Sequence, residues 1–139
     1  MLISQENILQ FIPQRKPFVM IDSLMEASDD AFQSEFKIAP SNIFLEHEKL
    51  SESALIENIA QTCAAGFGYL GSQKGGAAGG LGFIGAVTKV ENHKKAKLGD
   101  TIRTKINVVS SFDNIHLVEG TAYCNEETLL TCQMKIVVT

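Results

Sequence analysis

Several features that would narrow the class of protein at once are missing from this sequence. The 139 residues include no tryptophan, three prolines and three cysteines, and no long uninterrupted run of apolar residues. A membrane-spanning helix needs about 20 consecutive, mostly apolar residues, so we expect no transmembrane segment. The three cysteines are odd in number and lack the spacing of metal ligands. We therefore expect free thiols in a reducing compartment, with no disulfide framework and no bound metal.

An excess of positive charge is also missing. The net charge is −4 and the isoelectric point is about 5.3, which argues against a nucleic-acid-binding or anionic-membrane-binding protein. Lys94, Lys95 and Lys97 form a short basic run that is typical of a solvated turn, although an acidic carrier protein could also use it. The first 18 residues lack a cationic segment followed by an apolar one, so we expect no secretory signal and a cytoplasmic location.

The length and composition are those of one globular unit. Hydrophobic residues make up 45% of the chain and charged residues 20%, which is ordinary for a globular domain. A chain of this length buries enough surface to fold without disulfides or metal. With no internal repeat in the sequence, we expect one domain covering residues 1–139.

Hydrophobic periodicity predicts one long helix among strands. A short helix over residues 5–10 is followed by strands at 18–27 and 31–38, which we expect to pair as a hairpin. Residues 53–70 are apolar at helical spacing, with Ser51 or Ser53 as N-cap and Gly71 as C-cap. At least four strands follow. The order predicts an α+β fold, in which an antiparallel sheet or a partner subunit covers a helix that is apolar almost all round.

A polar stripe interrupts this helix. Ser53, Glu57 and Gln61 are four residues apart and therefore share one helical face. In one interpretation Glu57 reaches solvent and stabilises the helix dipole. In the other, packing against the apolar neighbours withdraws its carboxyl group from water, so that the group retains its proton more readily and can act as a general acid.

Three segments resemble the bacterial 3-hydroxyacyl-[acyl-carrier-protein] dehydratases. "IPQRKPFVMID", residues 12–22, is similar to the family's N-terminal signature, although Gln14 stands where the family usually has histidine. "LIENIAQT", residues 55–62, resembles the central-helix motif L-x-x-E-x-x-A-Q and aligns Glu57 with the catalytic carboxylate. "KLGDTIRTKINVV", residues 97–109, is similar to the family's Gly-Asp strand entry. The resemblance implies a hotdog fold, with a six-stranded antiparallel sheet wrapped around the long central helix.

The resemblance also implies a mechanism and partners. A histidine from the loop before the helix removes the α-proton of a 3-hydroxyacyl thioester, and a carboxylate of the partner's helix protonates the leaving hydroxyl. It therefore implies an acyl carrier protein or CoA thioester substrate, a homodimer or higher oligomer of dimers, and no cofactor. His47 would be the base and Glu57 the acid. Six residues are expected to contact the substrate: Gln61, Ser53, Phe18, Phe67, Phe83 and Gly85.

The loop before the helix departs from the family pattern, which leaves other interpretations open. "SNIFLEHEKLSE", residues 41–52, has none of the glycines and prolines of the family's loop, and His47 lies only 10 residues before Glu57. The chain could instead be a non-catalytic hotdog subunit that binds acyl carriers or pairs with an active dehydratase. A thioesterase is a further alternative, because there a helix carboxylate activates water and no histidine is needed. We expect His93 at the surface and His116 in a packing or edge position.

Overall fold

The computed structural model describes residues 1–75 and 82–138, except for the side chain of residue 83. It contains one long helix, a single 3-10 turn at Ile8–Gln10 and eight strands. The helix α1 is Glu52–Gln73. The strands are β1 Ser23–Ala27, β2 Ala31–Lys37, β3 Leu45–Glu46, β4 Lys49–Leu50, β5 Gly82–Asn92, β6 Thr101–Phe112, β7 Ile115–Cys124 and β8 Glu127–Val138.

Six of the strands form one antiparallel sheet in the order β1-β2-β6-β7-β8-β5. The helix packs on one face of this sheet, so the predicted α+β architecture and the hotdog fold are confirmed. The remaining strands, β3 and β4, form a small separate hairpin just before the helix. We did not predict this hairpin from the sequence, since each of its strands is only two residues long.

The alternating patterns place the predicted residues in the core. In β2, Phe32 and Phe36 are buried, and in β6 Ile102 and Ile106 are buried. Strand β8 buries Leu130, Cys132, Met134 and Ile136 in the same alternating way. The period-2 pattern therefore identified the helix-facing side of each of these strands.

The helix is longer at its C-terminal end than predicted. Ser51, one of the two predicted candidates, is the N-cap residue. Its side chain makes no capping hydrogen bond. At the other end the helix continues past Gly71 to Gln73, so the predicted C-cap at Gly71 is wrong. The left-handed backbone conformation that favours glycine occurs instead at Gly75, whose φ is +83°.

The first predicted strand is also shorter than expected. We predicted a strand over residues 18–27, but β1 begins only at Ser23. The backbone of Phe18 and Met20 binds side chains of the helix instead of another strand, namely those of Gln61 and Asn58. The predicted helix at residues 5–10 is likewise reduced to the 3-10 turn at Ile8–Gln10.

Two glycines allow the helix and the sheet to approach closely. A Cβ atom at Gly66 of α1 would overlap the ring of Phe32, and one at Gly120 of β7 would overlap Ile59. These contacts fix the height of the helix above the sheet. In the described part of the chain, no helix has the length and apolar character needed to cross a membrane.

Candidate active site

Glu57 is held by the amide of Gln61, one helical turn further on. Nε2 of Gln61 donates a hydrogen bond of 2.9 Å to Oε2 of Glu57. The spacing of four residues places both side chains on one face of α1, as the sequence predicted. Glu57 is half-buried, whereas Gln61 is fully buried. The carboxylate therefore lies at the boundary between core and solvent, and a substrate can approach it there.

The segment from Phe18 to Met20 lies beside this pair. The backbone N–H of Met20 donates to Oε1 of Gln61 at 2.6 Å, and Nε2 of Gln61 also donates to the carbonyl oxygen of Phe18 at 2.9 Å. The side chain of Phe18 is 56% exposed. The structure thus brings together Phe18, Glu57 and Gln61, three of the predicted site residues.

A buried row of polar side chains supports this arrangement, and sequence reasoning missed it. Nδ2 of Asn58 donates to the carbonyl oxygen of Met20 at 2.6 Å, and Oδ1 of Asn58 accepts a hydrogen bond from the hydroxyl of Thr104. The hydroxyl of Thr62 donates to the Asn58 carbonyl at 2.7 Å and also pairs with that of Ser34 at 2.7 Å. The signal was present in the sequence: an asparagine is rare in a buried helix unless its amide has partners.

His47 occupies the tip of the β3–β4 hairpin. Its φ is +52° and that of Glu48 is +65°, so these two residues form the turn between Glu46 and Lys49. The imidazole is exposed and makes no hydrogen bond or ion pair with any residue that the structure describes. Within one chain no hydrogen bond or ion pair therefore joins His47 to Glu57 in the described residues, and the role of His47 stays a prediction.

The other predicted substrate contacts are spread along the helix and strand β5. Ser53 is exposed one turn before Glu57. Phe67 lies in the C-terminal half of the helix, with its ring 4.4 Å from that of His116 and 5.0 Å from that of Phe32, centroid to centroid. Gly85 lies in β5, and the side chain of Phe83 lies outside the described part of the chain.

Burial shifts the pKa of several side chains in the fold. It raises the pKa of Asp22, whose Oδ2 accepts a hydrogen bond of 2.8 Å from the backbone N–H of Lys37. It lowers the pKa of His116, which therefore tends to remain neutral while it stacks on Phe67. It also raises the pKa of Cys132 to about 11. A thiol that resists ionisation is a poor nucleophile.

The remaining cysteines and His93 take no part in this site. All three thiols are free. Cys63 is fully buried, and burial raises its pKa, so it is a core residue. His93 is exposed, with Nε2 at 3.7 Å from Oε2 of Glu91. It lies at the surface, as the sequence predicted.

Comparison with known proteins assigns the chain to a family. Residues 6–139 match the model of the ApeP-like family, described as ApeP dehydratase. The chain belongs to the ApeP-like dehydratases. This confirms the divergent dehydratase resemblance that the three sequence motifs indicated.

Individual proteins that are similar to this ApeP-like dehydratase are also named dehydratases. The 3-hydroxyacyl-[acyl-carrier-protein] dehydratase FabZ of Clostridioides difficile is 24% identical over 138 residues, which cover 95% of this chain and 93% of that protein. The dehydratase heterocomplex ApeI:P from Xenorhabdus doucetiae has a TM-score of 0.87 at 18% identity, covering 95% and 90% of the two chains.

Thioesterases share the fold at a lower structural similarity. A hypothetical thioesterase from Streptococcus pneumoniae, solved with coenzyme A, has a TM-score of 0.68 at 14% identity, covering 84% of each chain. Identities this low establish only the common hotdog fold. The thioesterase alternative therefore fits the fold but no better than dehydration does.

Proposed function

We propose that this ApeP-like dehydratase eliminates water from 3-hydroxyacyl thioesters, carried by an acyl carrier protein or CoA, to give 2-enoyl thioesters. The observation that supports this most directly is the half-buried carboxyl group of Glu57, held by Gln61 on the central helix. The group lies within reach of solvent yet is fixed by the core, as a general acid requires. Membership of the dehydratase family supplies the reaction class.

The reaction needs an acid and a base on one substrate. A base removes the proton from Cα, and the electron pair of that bond forms the Cα=Cβ double bond. The bond from Cβ to the hydroxyl breaks, and the proton of Glu57 converts the leaving hydroxyl to water. Backbone N–H groups at the start of α1 polarise the thioester carbonyl and stabilise the enolate-like charge. We assign the role of base to His47.

Because no hydrogen bond or ion pair joins His47 to Glu57 within the described part of one chain, we propose that the two groups meet across an interface between two chains. Strand β5 offers such an interface, since it forms one edge of the sheet. Its exposed apolar residues are Ile84, Val87 and Val90. The opposite edge, at β1, is covered by backbone hydrogen bonds from Leu2 and Ile3 to Leu24. In the described ranges, 1–75 and 82–138, no strand covers β5, and an exposed edge of 11 residues favours pairing with another chain.

The partner chain is either a second copy or a related subunit. A homodimer would bring each His47 towards the Glu57 of the other copy. The similarity to a chain of the ApeI:P heterocomplex favours a second candidate, in which this chain pairs with a different dehydratase subunit. In that arrangement the partner supplies a base, and His47, at its exposed hairpin tip, takes no part.

An activity assay separates these functions. We expect the purified chain to convert a 3-hydroxyacyl-carrier substrate to the 2-enoyl product, detected by mass spectrometry of the carrier. Glu57→Gln and His47→Ala should each abolish turnover. The matched controls are Glu52→Gln, an exposed carboxylate on the same helix, and His93→Ala, an exposed histidine. Both should retain activity.

The other outcomes identify the alternatives. Turnover that survives His47→Ala excludes that residue as the base. Free acid as the product indicates a thioesterase. Turnover that appears only after mixing with an active dehydratase subunit indicates the heterodimer.

The oligomeric state tests the β5 interface independently of activity. We expect a dimer in sedimentation equilibrium, and dissociation to monomers when Ile84 and Val87 are both replaced by Lys. Val109→Lys is the control, because Val109 is 52% exposed in β6, away from this edge. A dimer that persists in the double variant would place the interface elsewhere.

A further inference from the structure

The amide of Gln61 can adopt only one orientation. Its Oε1 accepts a hydrogen bond from the N–H of Met20 at 2.6 Å, and its Nε2 donates to the carbonyl oxygen of Phe18 at 2.9 Å. Rotation of the amide by 180° would place N–H against N–H and oxygen against oxygen, and would leave the buried N–H of Met20 without this acceptor. The two backbone groups therefore determine which atom of Gln61 faces Glu57.

The atom that faces Glu57 is the donor. With one hydrogen of Nε2 bound to Phe18, the second points to Oε2 of Glu57, at 2.9 Å. A proton on Oε2 could not be donated to this nitrogen, which has no acceptor capacity, and it would make Oε2 a weaker acceptor for the N–H. Oε2 is therefore kept as an acceptor, and a proton on the carboxyl group belongs on Oε1.

We propose that Gln61 is a positioning residue, which holds Glu57 with Oε2 towards the core and keeps the transferable proton on Oε1. This inference rests on the proposed function for the direction of proton transfer, in which Oε1 gives its proton to the leaving hydroxyl. It replaces the direct substrate contact that the sequence suggested for Gln61. Both N–H donors of its amide are bound to protein atoms and Oε1 already accepts from Met20, which leaves no free donor for a substrate.

The backbone that fixes Gln61 is itself held at a second point. Asn58 donates to the carbonyl oxygen of Met20 at 2.6 Å and accepts from Thr104 of β6. Met20 thus has both its N–H and its C=O bound by the helix. Asn58 thus holds the same backbone segment as Gln61 does. Its side chain donates no hydrogen bond to Glu57, which makes it a suitable control position.

The first experiment compares Gln61→Met with Asn58→Leu in the active enzyme or complex. Each substitution replaces an amide side chain by an apolar side chain of similar size. Each also leaves a buried backbone group of Met20 without its hydrogen-bond partner, so both should lower the melting temperature. Only Gln61→Met removes the donor to Glu57. We expect its kcat to fall by about 10- to 100-fold, less than the loss of a general acid would cause because Glu57 itself remains, with little change in KM.

The pH profile distinguishes positioning from a structural effect. Without the N–H donor the carboxylate holds its proton more tightly, so the limb of the kcat profile that reports loss of the acid's proton should move to higher pH in Gln61→Met. In Asn58→Leu this limb should stay where it is in the wild type. An unmoved limb in Gln61→Met, or an equal displacement in both variants, would overturn the proposal.

A second experiment needs no turnover. The side-chain N–H resonances of Gln61 in the wild-type chain should shift as Glu57 titrates, and this pH response should disappear in Glu57→Gln. If the response is present but the wild type dehydrates no substrate, the positioning contact stands and the proposed function fails. If the resonances do not respond to pH in the wild type, Gln61 does not contact the carboxylate and the positioning proposal is wrong.

Discussion

The backbone of Gly66 in helix α1 lies directly on the aromatic ring of Phe32 in strand β2. A methyl group at Gly66 would overlap three atoms of that ring. Phe32 is fully buried and packs edge-on against Phe67, with a ring separation of 5.0 Å, so it has little space into which it can move. The contact sets the distance between the helix that carries Glu57 and the sheet beneath it.

Replacing Gly66 by alanine should therefore destabilise the protein. Overpacking a well-filled core costs about 1–3 kcal/mol, which exceeds the gain of about 1 kcal/mol that alanine usually brings to a helix interior. Gly71→Ala is the control. Gly71 lies in the same helix, and a Cβ there would have no neighbour within 4 Å, so this variant should be stabilised by about 0.5–1 kcal/mol. Urea denaturation measures both changes, and equal stability of the two variants would contradict the prediction.

Asp22 should give the stability of the protein a measurable dependence on pH. Burial, and to a lesser extent the nearby Glu35, raise its pKa above the ordinary value of 3.8, although the N–H of Lys37 opposes them. The folded state thus binds this proton more tightly than the unfolded state does. The free energy of unfolding should therefore decrease as the pH rises from about 4 through the pKa of folded Asp22.

The variant Asp22→Asn should lack this decrease. Asparagine does not ionise, yet its Oδ1 can still accept the hydrogen bond from Lys37. We expect the variant to be at least as stable as the wild type at pH 7. Urea denaturation between pH 4 and pH 7 measures the difference, with the exposed Asp30→Asn as control, in which the wild-type decrease should persist. A variant that is less stable than the wild type at pH 7 would show that the charge of Asp22 is needed.

The sequence was sufficient to predict the elements whose hydrophobic residues follow a simple repeat. Strands such as β6 alternate regularly, so their inward residues, Ile102 and Ile106, were predictable from a period of two. The position of Glu57 was predictable because helical spacing and the family motif agree. The C-terminal end of the helix was not predictable, since Gly71 is a common terminating residue but here the helix continues through it to Gln73.

The parts that could not be predicted depend on contacts between distant residues. Phe18 to Met20 consist of good strand formers, but amides about 40 positions later in the chain bind their backbone in place of a neighbouring strand. A buried asparagine indicates that its amide needs partners, but a single sequence does not say which backbone groups these are. The position of His47 was equally beyond reach, because it depends on a hairpin whose strands are only two residues long.

The turn that carries His47 should be stabilised when glycine replaces Glu48. His47 and Glu48 have φ values of +52° and +65°, the left-handed conformation required at both central residues of the commonest two-residue hairpin turn. Residues with a Cβ adopt it at a cost of about 1 kcal/mol each, which glycine avoids. The backbone carbonyl of Glu48 accepts a hydrogen bond of 2.8 Å from the N–H of Leu98, and this contact does not need the glutamate side chain.

Glu48→Gly should thus raise the free energy of unfolding by about 0.5–1 kcal/mol, measured by urea denaturation. Glu46→Gly is the matched control. It removes the same side chain from β3, where glycine weakens a strand, and should destabilise the protein. If His47 is the base, Glu48→Gly should also leave dehydration intact, because the turn keeps its geometry. Loss of stability in Glu48→Gly would show that the glutamate side chain supports the hairpin in a way that outweighs the backbone conformation.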